Sequence, residues 1–101
     1  MSQPVIDDTA GEVFVVSTDG TTARLEYKLR GNRLHLLHTE VPDAFRGQGV
    51  GGRLVQAALA KARADHLTIV PWCPYARRWL EEHPDRIGDV TLDLKARRSR
   101  E

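Results

Sequence analysis

The chain is poor in cysteine, poor in aromatic side chains and almost free of surplus charge. One Cys stands among 101 residues. Alone it can form no internal disulfide and cannot anchor a zinc site of the Cys2His2 kind. This predicts a reduced, cytoplasmic protein with no metal. Lys and Arg total 15 against 14 Asp and Glu, a net charge of +1. Such a balance is neither an acidic tail nor a general nucleic-acid binder, so no nucleic-acid partner is expected. No apolar run approaches the ~20 residues a membrane-spanning helix needs. Residues Met1 to Gly11 are polar and acidic with only Val5 and Ile6 strongly apolar, which is no signal-peptide pattern. There is no internal repeat.

What is present suffices for one small domain spanning 1–101, with no separate substrate domain. A chain of this length buries only roughly 60–68% of the surface it exposes when unfolded. A hydrophobic content of 41% still supports a core and argues against disorder. Residues 12–17 are β-branched and aromatic, which suits a strand. Thr18-Asp19-Gly20 then supplies a turn. In 22–29, Ala23, Leu25, Tyr27 and Leu29 alternate with Arg24, Glu26 and Lys28, the period of a half-buried strand. Gly31-Asn32 closes a hairpin into a third, more apolar strand over 34–41. From Val50 the period becomes helical, with Val50, Leu54, Ala58 and Ala62 flanked by Val55 and Leu59, predicting a helix over 51–65. Residues 67–72 read as a short buried strand. Pro74 opens a second helix, with Tyr75, Ala76, Trp79, Leu80 and His83 on its inward side, and Pro84 ends it. Val90, Leu92 and Leu94 give a weak strand signal, able to pair within the chain or across a dimer. A loose N-terminus and a polar tail from Lys95 flank a core of about 12–85.

The order β-β-β-α-β-α predicts an α+β fold, mostly antiparallel with one parallel strand–helix–strand crossover. Strands 34–41 and 67–72 should then be parallel neighbours. A slot opening between their C-terminal ends lies where ligands bind in such sheets. The segment Arg46-Gly47-Gln48-Gly49-Val50-Gly51-Gly52 sits at that same end. Its glycines let backbone approach a ligand without Cβ interference. They lead into a helix N-terminus whose unpaired N–H groups favour anions, with the cation of Arg46 beside them. The expectation is a phosphate or pyrophosphate held by successive amides. Gly47-x-Gly49-x-x-Gly52 matches the dinucleotide fingerprint in letters, but the ribose-binding acid about 20 positions on is missing. A Walker A loop fails for want of Gly-Lys-Ser/Thr.

Arg46-x-x-Gly49-x-Gly51, after a strand and opening a helix, resembles the acetyl-CoA signature of the GNAT superfamily of N-acetyltransferases. With His38-Thr39-Glu40-Val41-Pro42, Pro71-Trp72-Cys73-Pro74-Tyr75 and His83-Pro84, the chain is similar to the minimal, single-domain GNAT-like proteins over about residues 12–85. The resemblance implies a V-shaped splay between strands 34–41 and 67–72. It implies that the amides of Gly47, Gln48, Gly49, Val50, Gly51 and Gly52, with Arg46, hold the CoA pyrophosphate. It further implies that pantetheine lies in the slot along His38, Thr39, Glu40 and Val41, near Cys73 and Tyr75.

The resemblance also directs attention to His38, Cys73 and Glu40 as catalytic candidates. A free Cys is most often a small buried hydrophobe. Cys73, however, directly precedes a helix start, a position that favours thiolate character. It is a candidate nucleophile, proton donor or neighbour of the CoA sulfur. His38 suits a general base, and Glu40 is the alternative. By strict alternation they share one strand face, with His35 and Thr39 on the other. His66 and His83 read as structural helix-end residues. Many GNAT enzymes carry Asn-x-x-Ala-x-x-Leu-Tyr after the fifth strand, the Tyr protonating the leaving thiolate. Aligned on Ala76, Cys73 takes the place of the Asn and Leu80 that of the Tyr, so Tyr75 or Cys73 would have to supply the acid. Arg86 also departs from the aromatic residue expected after His83-Pro84. Arg77, Arg78 and the Lys95–Arg100 cluster read as solvated charge.

The expected function is transfer of an acetyl group from acetyl-CoA to an unidentified amine, by a monomer or weak dimer. Strand N–H groups near 38–40 would polarise the thioester carbonyl. The alternative is a non-catalytic CoA or acyl-CoA-binding module, and a weaker third is a nucleotide-binding or protein-interaction domain.

Overall fold

A computed structural model describes residues 4–95. Its six strands form one sheet in sequential order. They are β1 (Ile6–Asp8), β2 (Val13–Thr18), β3 (Thr21–Arg30), β4 (Arg33–Glu40), β5 (Thr68–Pro71) and β6 (Thr91–Leu92). The first four run as an antiparallel meander. β4–β5 and β5–β6 pair in parallel. The helices are α1 (Val50–Asp65), α2 (Pro74–Glu82) and α3 (Pro84–Ile87), with a 3-10 turn over Asp43–Phe45. This is the α+β architecture the sequence pattern predicts, including the parallel β4–α1–β5 crossover.

One face of the sheet carries the core. Phe14, Val16, Ala23, Leu25, Leu34, Leu36 and Ile69 meet Val50, Leu54, Val55, Ala58, Leu59 and Ala62 of α1, all at most 2% exposed. α1 lies across β2 to β5, and α2 packs beside it on β4 and β5 through Ala76 and Leu80. The helical period of the 50–62 stretch exists because this one stripe faces the sheet.

Three details depart from the sequence reading. β1 was expected to be loose chain. It pairs with β2, and Asp7 ties it down by accepting from Tyr27 Oη (2.6 Å) and Lys61 Nζ on α1 (2.8 Å). Burial first, then the hydrogen bond to Asp7, pushes the Tyr27 phenol far above its ordinary range. Pro84 ends α2 but also opens α3 as its first residue, where its missing N–H leaves nothing unpaired. Of the two pairings open to the 90–94 segment, the structure takes the one within the chain, as two residues of β6 parallel to β5. Arg33 of β4 is paired with Asp93 just beyond it. The third departure, a bulge in β4, belongs to the site. Of the expected Lys95–Arg100 cluster, all but Lys95 lies outside the described residues.

Candidate functional site

β4 carries an extra residue. Tyr27 of β3 faces Leu36, but its neighbour Glu26 faces His38, so Leu37 has no partner. A bulge of this kind reverses the sidedness of every residue after it. His35, His38 and Glu40 therefore share the outer face, opposite Lys28, Glu26 and Arg24, while Thr39 turns inward opposite Leu25. The expectation that His35 sits with Thr39 fails for this reason. His35 instead accepts through Nδ1 from Trp72 Nε1 (2.9 Å), and the two rings stack.

β4 and β5 pair only as far as Leu36 and Pro71. The N–H groups of Trp72 and Cys73 both donate to the one Leu36 carbonyl, at 2.9 and 3.0 Å. The chain then leaves the sheet into α2, while β4 runs on through Leu37–Glu40. The splay follows from these facts. Pro71 has no N–H to extend the ladder, and Leu36 exhausts its partners on the next two residues.

The glycine turn closes the same end. Gly47 (φ 78°) and Gly49 (φ 67°) hold left-handed conformations with open space where a Cβ would stand. Gly49 is the N-cap of α1, and no side chain caps the helix start. The first amides of a 16-residue helix are thus offered to whatever lies before them. Gly51 and Gly52 do something different. A Cβ on Gly51 would lie 2.5 Å from Tyr75 Oη, and one on Gly52 2.7 Å from Trp79 Nε1. They are the seat on which α2 presses its two rings against α1. Trp79 is held there by stacking on His83, whose Nδ1 bonds the Trp79 carbonyl at 2.7 Å.

Between turn and slot lies a cavity of about 360 Å³. Of the residues expected to hold a cofactor, Thr39, Val41 and Tyr75 line it from the slot side. Arg46, Gly47, Gly49, Val50 and Gly51 line it from the turn. Phe45, 1% exposed, is a wall residue the sequence reading missed; a lone aromatic inside a Pro- and Gly-rich turn was its signal. The other expected residues stand elsewhere. His38 and Glu40 are on the outer face, Gly52 is under Trp79, and Gln48 folds its Nε2 back to the Ala44 carbonyl (3.3 Å). Cys73 is the N-cap of α2 and 4% exposed, lying behind Thr39 with Sγ 3.2 Å from Thr39 Oγ1.

Three polar side chains reach the cavity wall: Thr39, Arg46 and Tyr75. Arg46 is exposed, and its ion pair with Asp43 (3.3 Å) is a solvated surface one, so its charge is available to an incoming anion. Burial first, then the nearby Cys73 and Glu82, raises the Tyr75 phenol above its ordinary value. It therefore keeps its proton at neutral pH and is a donor. Among the described residues no group of His, Cys, Asp and Glu is arranged to hold a metal ion, and no helix is long and apolar enough to cross a membrane. Arg77 proves structural, bonding the Leu94 carbonyl at 2.7 Å.

A sheet parted between two parallel strands, with a glycine-rich helix entry at the parting, defines a GNAT-like protein. The chain belongs to the GCN5-related N-acetyltransferase family, whose model matches residues 12–90. It is 38% identical to Protein NATD1 of Gallus gallus over 74 residues, covering 70% of this chain and 67% of that one. It is 40% identical to Protein NATD1 of Mus musculus over a stretch of the same length. The match thus spans about two-thirds of these relatives. The solution structure of a GCN5-like candidate N-acetyltransferase from Staphylococcus aureus superposes with a TM-score of 0.72 at 29% identity, covering 92% of this chain and 91% of that one.

Proposed function

We propose that this protein is an acetyl-CoA-dependent N-acetyltransferase acting on an amine. The observation that carries the proposal is the single cavity joining the uncapped α1 start to the open edge of β4. One end suits a pyrophosphate, through the Gly47–Gly49 amides and Arg46. The other is a strand edge whose backbone beyond Leu36 is free of β5, able to bond the amides of a pantetheine arm. Tyr75, standing over Gly51, donates from its phenol at the junction.

The two faces of the sheet divide the chemistry. Acetyl-CoA enters from the helix side, along Thr39 and Tyr75. His38 and Glu40 face the opposite side, where an acceptor amine reaches the thioester through the parted strands. His38 takes the amine proton, with Glu40 beside it on the same face. Amide N–H groups of β4 polarise the thioester carbonyl. Direct transfer is favoured over an acetyl-cysteine intermediate, because Cys73 lies behind Thr39 and off the cavity wall. A free thiol fits the proposed cytoplasmic setting.

A second reading, a CoA-binding module without catalysis, is favoured by Leu80. It is fully buried in the core and occupies the position where many of the family carry their acid tyrosine. One experiment separates the two. Acetyl-CoA binding is measured by calorimetry, and labelled acetyl transfer is followed over a panel of amines and peptides. We expect binding, transfer, and a fall in kcat of roughly 100-fold or more in His38→Ala. Binding without transfer to any acceptor supports the module. Gly49→Glu, which sets a side chain and a negative charge into the turn, abolishes binding in either case. No binding by the wild type defeats both.

A further inference from the structure

The three groups expected to do chemistry are the ones the structure keeps off the cavity wall. His38 and Glu40 face outward, and Cys73 is 4% exposed beneath the surface. The polar side chain that β4 does present to the cavity is Thr39. It is there because of the Leu37 bulge, which turns the residue after His38 to the helix side. Its Oγ1 is 3.2 Å from Cys73 Sγ, and either atom can be the donor. When the thiol donates, the Thr39 hydrogen is released to point into the cavity. The other hydroxyl on the wall, Tyr75 Oη, stands over Gly51 at the α1 start.

Resting on the reading of this cavity as the acetyl-CoA site, we propose that the Thr39 hydroxyl is the hydrogen-bond donor to the sulfur leaving acetyl-CoA, with Cys73 as the positioning residue behind it. As the amine nitrogen bonds the carbonyl carbon, the carbon–sulfur bond breaks and its electron pair stays on sulfur. The Thr39 hydrogen bond stabilises that thiolate, and charge-assisted bonds of this kind are the strong ones. The Thr39 proton passes to sulfur while the Cys73 thiol proton passes to Oγ1. Cys73 regains a proton from solvent after CoA leaves, matching the one released from His38. The acid function that many of the family take from a tyrosine, where this chain has Leu80, is thereby supplied from the strand. Cys73 acts through Thr39 and takes no acetyl group.

The test needs no acceptor. CoA is bound to the full chain at saturation, and its thiolate absorbance is titrated against pH. The same protein saturated with S-methyl-CoA is the blank, which cancels Cys73. Bound to the wild type, the CoA thiol should ionise at lower pH than free CoA. Thr39→Val should raise that midpoint by roughly one to two pH units, the effect of losing a hydrogen bond to a charged group. Thr39→Ser should restore it, and Cys73→Ala should raise it partway. Affinity for S-methyl-CoA should change by less than about tenfold in Thr39→Val, since the donor acts on thiolate and not on thioether. Thr39→Ala replaces Thr39→Val if the latter does not fold. Identical midpoints in the wild type and the Thr39 variants overturn the proposal and leave the site reading standing. An acetyl adduct on Cys73, seen by intact mass after mixing with acetyl-CoA, overturns the positioning role. Failure of wild-type protein to bind CoA overturns the proposal together with the reading it rests on.

Discussion

At the residue scale, four glycines of one motif do two unlike jobs. Gly47 and Gly49 are glycine because the chain there is left-handed, and nothing in the structure stands near their missing Cβ. Gly51 and Gly52 have helical backbone and are glycine because α2 lies on them. The two can be told apart by alanine. In Gly51→Ala the new methyl meets Tyr75 Oη, the far end of a side chain that is 45% exposed and can yield toward solvent more readily than a clamped ring. Stability should hold, while moving a cavity wall should weaken CoA binding by about tenfold or more, read by calorimetry. In Gly52→Ala the methyl meets the Trp79 ring, which is clamped by His83. Overpacking costs roughly 1–3 kcal/mol, against ~1 kcal/mol regained when a helical glycine becomes alanine. A net loss of stability is expected, as a lower urea midpoint at unchanged slope. Equal behaviour of the two variants in both assays would show that the glycines share one role.

At the element scale, the edge strands depend on side-chain ties more than on their own ladders. β1 has three residues, two of them Asp, a residue depleted in strands. It holds because Asp7 accepts from Tyr27 and from Lys61, whose ammonium also lies 5.7 Å over the Tyr27 ring. Asp7→Ala leaves a partly buried Lys and a phenol without their acceptor. The expected cost is about 1–3 kcal/mol, with faster amide exchange in β1 and β2 than in β4 and β5. Uniform acceleration across the sheet would mean that Asp7 supports the whole fold and not this edge. The bulge in β4 is the other element-level device. Leu36 and Leu37 are its trace in the sequence, two apolar residues in a row where alternation calls for one. A period-two reading passes over them, because either is acceptable in a half-buried strand.

At the scale of the whole molecule, stability should fall at both ends of the pH range for identified reasons. Glu12, itself at positive φ, accepts from the Leu29 amide at 2.9 Å, continuing the β2–β3 pairing with a carboxylate. That backbone hydrogen bond, aided by Arg30 and Lys28, holds its carboxyl below the ordinary 4.5. Its contribution is therefore complete above pH 4.5 and is lost as pH falls through the lower, folded value. Tyr27 is the reverse case, raised by burial and by Asp7. Its contribution is complete below its ordinary 10.0 and is lost as pH climbs toward the raised value. Glu12→Gln should flatten the acid limb of a denaturation midpoint against pH curve and leave the alkaline limb alone. Tyr27→Phe should do the opposite. An unchanged curve in either variant refutes the corresponding assignment.

The sequence by itself determined β2 to β5, the long helix, their order, the parallel crossover and the glycine turn at its mouth. These follow from hydrophobic period and turn chemistry, which are local and survive without knowledge of neighbours. Tertiary structure alone decided which side chains share the cavity. One unpaired residue, Leu37, sends His38 and Glu40 to one face and Thr39 to the other. The crossing of α2 over α1 sets Tyr75 on Gly51 and hides Gly52. The meeting of β4 with the start of α2 places Cys73 behind Thr39, 34 positions apart in sequence. Sidedness after a bulge and contact between distant elements depend on register and packing, and neither is written in any single stretch of the chain.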